Sequence, residues 1–146
     1  RYRYHGVMVD IMPTDVPAIG PTNKWYVPGM EHAVDHALPD GSLIKLLTAP
    51  YFLATKLEAF KSRGGDMRSS KDFEDIVFVL DSRLGLMDEL LEAPLEVSIY
   101  LRKEFEQLIK SKGFGEAIAG HLDQRVASER ATMIHEALDR FVMSTG

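Results

Sequence analysis

The sequence predicts an α+β fold: the remnant of a mixed β-sheet with helices packed on it, followed by a helical C-terminal region. Two short runs, Gly6–Met12 and Leu43–Leu47, carry the strand character. From Ala49 onward apolar residues recur at helical spacing. Two strands alone do not make an independent sheet, so the remaining strands are expected before Arg1 or on a partner chain. The expected division is a sheet-bearing core over residues 1–84 and a helical region over residues 85–146.

Each element has its own warrant. Gly6–Met12 is rich in β-branched residues and stopped by Pro13; Val7, Val9 and Ile11 face one way, Met8, Asp10 and Met12 the other. Thr14 to Tyr26, with Pro17, Gly20 and Pro21, reads as loop. Met30 to Leu38 reads as a short helix ended by Pro39-Asp-Gly41, and Leu43–Leu47 as a second strand. Ala49 to Arg63 is a helix with Pro50 in its first turn, where a missing N–H is tolerated, and Gly64-Gly65 stops it. Ser69 or Ser70 caps the next helix, whose stripe is Phe73, Ile76, Val77 and Leu80. Beyond Gly85 the chain reads as wholly helical. Val97, Leu101, Phe105 and Leu108 form one stripe, Phe114–Leu122 a short helix, and Ile134, Leu138, Phe141 and Val142 another stripe.

The chain has 146 residues, enough to bury roughly two-thirds of its unfolded surface without staples. It contains no cysteine, which removes disulfides and thiolate metal sites. No run is apolar enough to span a bilayer and the N-terminus lacks a signal-peptide core, so no membrane partner and a cytoplasmic location are expected. The net charge of −5 argues against broad electrostatic binding to nucleic acid, although Lys61, Arg63, Arg68 and Lys71 cluster locally. The first residue is Arg rather than Met, so the chain is expected to begin inside a longer protein or to be processed.

Several residues draw functional attention beside an ordinary structural reading. Asp10 interrupts an apolar strand, as a strand-end carboxylate or as a metal ligand or general base on an open sheet face. Lys56 lies between Phe52 and Phe60, as a snorkelling lysine or as a point charge on phosphate oxygens. Asp72 and Asp75 share a helix face at i, i+3. They complement the helix dipole, Ser69 with Asp72 resembles a capping box, and Lys71 is spaced to pair with Asp75. His32-Ala-Val-Asp-His36 has the spacing of an inverzincin motif with Asp for Glu and no third ligand. Trp25-Tyr26 reads as a loop anchor in preference to a base-stacking pair.

The order and wording of the segments add to this. Val9-Asp-Ile-Met-Pro13, Asn23-Lys-Trp-Tyr26, Ala54-Thr-Lys-Leu-Glu-Ala-Phe60, Arg63-Gly64, Asp66 and Ser70-Lys-Asp-Phe-Glu-Asp-Ile76 together resemble the AbiEii/AbiGii-type nucleotidyltransferase family. These are bacterial proteins of the polymerase-β-like superfamily, many of them toxins of type IV toxin–antitoxin systems. The resemblance runs from Tyr4 to about Phe114. It implies a nucleotidyltransferase-type sheet and Mg²⁺-dependent transfer of a nucleoside monophosphate from a nucleoside triphosphate to an acceptor that the sequence does not name: tRNA, another RNA, a small molecule or a protein side chain. By the same resemblance Asp10 is the third sheet carboxylate, which helps hold Mg²⁺ and activates the acceptor hydroxyl. Lys56 contacts the triphosphate, and Asp72 and Asp75 form the Asp-x-x-Asp motif ordering the nucleotide side.

The family's Gly-Ser motif and Asp-x-Asp pair precede the third carboxylate, and here almost nothing precedes Asp10. Transfer by this stretch alone is not expected. Its partners would be an N-terminal lobe or an antitoxin protein. The alternative is a degenerate relative acting as a non-catalytic helical interaction module.

Overall fold

The computed structural model describes the backbone of residues 2–4 and 7–9 and the whole of residues 23–144. β1 (Tyr2–Tyr4) pairs antiparallel with β2 (Val7–Val9), Tyr2 opposite Val9 and Tyr4 opposite Val7. β2 lies within the expected strand Gly6–Met12; the remainder of that run, with Asp10, lies outside the described residues. Next come α1 (Tyr26–Glu31) and a second antiparallel pair, β3 (Val34–Ala37) with β4 (Leu43–Leu46). The α+β class is as the sequence predicts. Among the described residues the strands form two separate two-stranded ladders.

The helix expected over Met30–Leu38 is not formed. Helix α1 sits earlier, with Pro28 in its first turn, and Val34–Ala37 is strand. The reason lies downstream. Pro39 disfavours helical backbone at Leu38. Gly41 takes the left-handed region at φ 86°, Asp40 Oδ1 accepts from the Ser42 N–H, and Leu38 N–H donates to Ser42 O at 2.8 Å. That turn folds Val34–Ala37 back on Leu43–Leu46, and hairpin pairing overrides a weak helical pattern.

Six further helices build the body: α2 (Ala49–Ser62), α3 (Lys71–Ser82), α4 (Leu86–Leu91), α5 (Leu95–Lys110), α6 (Phe114–Gly120) and α7 (Ala127–Met143). Helix α2 is the hub and packs on α1, α3, α4 and α5. Its buried set of Tyr51, Leu53, Ala54, Thr55, Leu57 and Phe60 covers most of its circumference, as a central helix requires. One cluster of buried side chains continues across residue 84, from Phe73 and Ile76 through Leu90, Leu101 and Phe105 to Leu138 and Phe141. The stripes read from periodicity are therefore the core.

The helix ends follow their sequence signals. Gly65 N–H reaches back to Phe60 O at 3.0 Å while Gly64 and Gly65 both hold positive φ, which closes α2. Ser70 Oγ accepts from Phe73 N–H at 3.1 Å and caps α3. The Ser69–Asp72 box is not made: Ser69 Oγ donates instead to Asp66 Oδ2 at 2.6 Å, because Ser70 occupies the cap.

Trp25 anchors its loop, its ring 4.9 Å from Tyr100 and 6.2 Å from Tyr51; its Nε1 is buried without a hydrogen-bond partner. Beside it the Tyr100 hydroxyl donates to Glu58 Oε1 at 2.6 Å, and Lys61 Nζ bridges Glu58 at 3.2 Å and buried Glu104 at 2.8 Å. Burial pushes the Glu58 carboxyl up, but hydrogen bonds from Tyr100 and Lys61, with the charges of Lys61 and Lys24, win and hold it below the ordinary 4.5. Burial likewise pushes the Lys61 ammonium down, and its bonds to Glu104 and Glu58 outweigh that and hold it above 10.5. Tyr100 is raised, first by burial and then by the Glu58 carboxylate that accepts its proton.

The signs differ at the two ends of the pH scale. The Glu58 contribution is full above pH 4.5 and is lost as pH falls through its lower folded value. The Lys61 contribution is full below 10.5 and is lost as pH rises through its higher folded value. Glu58→Gln is therefore expected to flatten the acid limb of stability, measured as urea midpoints over roughly pH 3 to 7. Acid limbs of equal slope in the two proteins would remove Glu58 from this role.

Candidate functional site

The site is made where α2 lies along α3. Lys56 and Arg63 are seven residues apart, two turns, and so share one face of α2 and its C-terminal cap. Asp72 and Asp75 occupy the first turn and a half of α3, on the face turned towards them. Lys56 Nζ is 2.7 Å from Asp75 Oδ2 and 3.6 Å from Asp72 Oδ1, and Arg63 Nη1 donates to Asp72 Oδ2 at 2.8 Å. Asp72 is buried at 4% exposure; it accepts a hydrogen bond from Arg63 and forms a longer ion pair with Lys56. Asp75 is half exposed. The Lys56 stem packs near Phe52, with its ammonium 5.7 Å from the ring centre.

The connection between the helices is braced so that this register is fixed. The Asp66 carboxylate accepts from Ser69 Oγ and from the Arg68 N–H, and Ser70 N–H donates to Asp66 O. The Ser69 bond, with the Arg68 N–H, holds the Asp66 carboxyl below its ordinary value. His121 Nε2 lies 2.8 Å from Met67 O and its ring packs on Phe73, tying the connection to α6. Asp66, part of the quoted motif, is thus a turn former.

The structure brings together Lys56, Asp72 and Asp75 as the sequence suggests. It does so as ion pairs: two cations and two carboxylates, with no net charge. Lys71 does not pair with Asp75. Its ammonium lies 3.0 Å from Glu74, since Lys56 reaches Asp75 from the neighbouring helix and Lys71 points to solvent. Asp10 lies outside the described residues. Arg63 is the residue that sequence reasoning left out of the site; its spacing from Lys56 is the signal that would have found it.

Divalent metal finds no complete ligand set here. Among the described residues no group of three His, Asp or Glu side chains stands close enough to hold an ion, and Asp72 and Asp75 are already engaged by cations. The histidine pair is not a zinc motif either. His32 follows α1 and its Nδ1 lies 2.9 Å from Pro28 O, whereas His36 is on β3, so no helix places the two rings together. Among the described residues no helix is long and apolar enough to cross a membrane.

No protein-family model, curated protein or solved structure matches the chain. The family resemblance therefore rests on the quoted motif residues.

The geometry separates two carboxylates that the sequence treats alike. Asp72→Asn removes charge from a buried carboxylate paired with two cations and is expected to cost about 1–3 kcal/mol. Asp75→Asn loosens a half-exposed pair and is expected to cost less than about 1 kcal/mol. Urea unfolding at neutral pH compares them, and equal losses would contradict this ranking.

Proposed function

We propose that this chain carries the nucleotide-facing half of a nucleotidyltransferase site, serving transfer of a nucleoside monophosphate from a nucleoside triphosphate to an acceptor of unassigned class. One observation supports the reading most: Lys56 of α2 stands against Asp72 and Asp75 of α3, the grouping that the family resemblance implies. In this reading Lys56 leaves Asp75 for the phosphate oxygens. A charge-assisted contact to phosphate replaces a contact to carboxylate, so the exchange costs little. Arg63 holds Asp72 as a positioning residue, and Asp75, once released, is free to accept a hydrogen bond from the sugar or base.

Asp10 would hold Mg²⁺ and activate the acceptor hydroxyl, roles that come from the resemblance alone. A bound Mg²⁺ would supply charge stabilisation to the departing pyrophosphate. The family's Gly-Ser cradle and Asp-x-Asp carboxylates have no counterpart among the residues of this site, so nucleotide binding without transfer is what the reading expects of this stretch. Membership of a toxin–antitoxin pair, with an antitoxin as partner, belongs to the same proposal.

A second reading has its own support. The ion pairs of the cluster satisfy one another with no net charge left over, as in a structural tie between helices. In that case the chain is a non-catalytic helical interaction module.

Calorimetric titration with each nucleoside triphosphate, with and without Mg²⁺, separates the two. The nucleotide reading expects saturable binding that Lys56→Ala weakens at least about tenfold, a loss of about 1.4 kcal/mol. Unchanged urea unfolding of the variant would confirm that the loss is local. Binding indifferent to Lys56, or absent for all nucleotides, would favour the interaction module.

A further inference from the structure

Helix α3 presents Asp72, Asp75 and Phe78 at successive steps of three residues. Three residues fall short of a full turn, so each step moves back around the helix by about 60°. The series winds out of the core: Asp72 is buried, Asp75 is half exposed and Phe78 is 69% exposed. Residues three apart on a helix hold their Cβ atoms about 5–6 Å from each other. The exposed ring therefore neighbours the carboxylate that Lys56 Nζ meets at 2.7 Å.

Folding does not call for an aromatic ring at this place. Phe60, Phe73, Phe105, Phe114 and Phe141 are buried and Phe52 is half-buried, so among the described residues Phe78 is the exposed phenylalanine. It stands outside the core cluster, which takes Phe73, Ile76 and Val77 from the same helix. Helix formation does not favour it either, since phenylalanine is a weaker helix former than leucine, lysine or glutamate. A single exposed apolar side chain is common on a protein surface. What distinguishes Phe78 is its position one turn beyond the ion pair in which Lys56 is partly solvated and exchangeable.

An exchangeable cation, a half-exposed carboxylate and a flat apolar ring in sequence match the three parts of a nucleotide. Phosphate oxygens take the Lys56 ammonium, an amine or hydroxyl donates to the released Asp75, and the base lies on the ring. A bare polyphosphate has no use for the ring, and an apolar ligand has none for the lysine. Resting on the nucleotide reading of Lys56 and Asp75, we propose that Phe78 is the residue on which the base stacks and that the occupant is a purine nucleoside triphosphate. Stacking grows with the area of the ring system, so it favours purine over pyrimidine and does not separate adenine from guanine.

Calorimetric titration with ATP, GTP, CTP, UTP and inorganic triphosphate, all with Mg²⁺, tests this on the unaltered chain beside Phe78→Ala and Phe78→Trp. The unaltered chain is expected to hold ATP and GTP more tightly than CTP and UTP. Phe78→Ala is expected to weaken ATP at least about fivefold, to level purines with pyrimidines and to leave inorganic triphosphate unchanged. Phe78→Trp is expected to retain ATP, because a larger ring still stacks. Both variants are expected to keep the urea midpoint of the unaltered chain, since Phe78 lies outside the core. ATP binding that needs Lys56 but is unmoved by Phe78→Ala overturns the stacking role, leaves the nucleotide reading standing and assigns the ring to a protein contact. Equal losses of ATP and inorganic triphosphate overturn it as well, since the ring then acts through the phosphate end. Absence of ATP binding by the unaltered chain removes the nucleotide reading, and the stacking role with it.

Discussion

The rest of the structure depends on the burial of α2. A helix covered by four neighbours has few directions left for charge, and every charged side chain that α2 carries is paired. Lys56 meets Asp72 and Asp75, Glu58 meets Tyr100, Lys24 and Lys61, and Lys61 also meets buried Glu104. Just past its end Arg63 meets Asp72. Burying an ionised group without a partner costs several kcal/mol, so the packing of α2 dictates where its neighbours must place acids. Asp72 on α3 and Glu104 on α5 are those acids. Each is flanked by core residues in sequence, Phe73 and Phe105, and each ties a neighbouring helix to the hub.

The same constraint divides the cluster of candidate site residues into a fixed part and a labile part. Arg63 with Asp72 is anchored by burial of the carboxylate. Lys56 with Asp75 is partly solvated on both sides, with 28% and 49% of the side chains exposed, and holds little energy. A ligand with phosphate oxygens has only to compete with Asp75 for the ammonium. An arrangement made solely to join α2 to α3 would function equally well with both carboxylates buried. The asymmetry between Asp72 and Asp75 is therefore the feature that makes exchange of Lys56 from carboxylate to phosphate physically cheap.

Sequence periodicity carried the helical body because burial there follows a simple rule. The stripes of Phe73, Ile76 and Val77, of Val97, Leu101 and Phe105, and of Ile134, Leu138 and Phe141 are all buried. It failed at Met30–Leu38, where both strands of the hairpin are solvent-exposed throughout, so no alternation of burial marks them. There the deciding signal is the turn chemistry of Pro39-Asp-Gly41. The contact of Lys56 with Asp75 spans nineteen residues and two helices. No local period encodes such a contact, and the local i, i+4 spacing of Lys71 points to a different partner for Asp75. The burial of Glu104 is not legible because a charged residue on an amphipathic helix reads as solvent-facing until its neighbour is known.

Helix α3 ties the two surfaces of interest together and also keeps them apart. Its twelve residues span about 18 Å, with Asp72 and Asp75 near the N-terminal end and Leu80 near the other, lining a hollow of about 490 Å³ against α7. Both ends are nonetheless fixed to the same rigid element, at one end by Arg63 on Asp72 and at the other by Arg130 on Asp81. Any shift of α3 that loosens one of these bonds strains the other. For that reason the cheap movement at the Asp75 end is the Lys56 side chain, with the helix left in place.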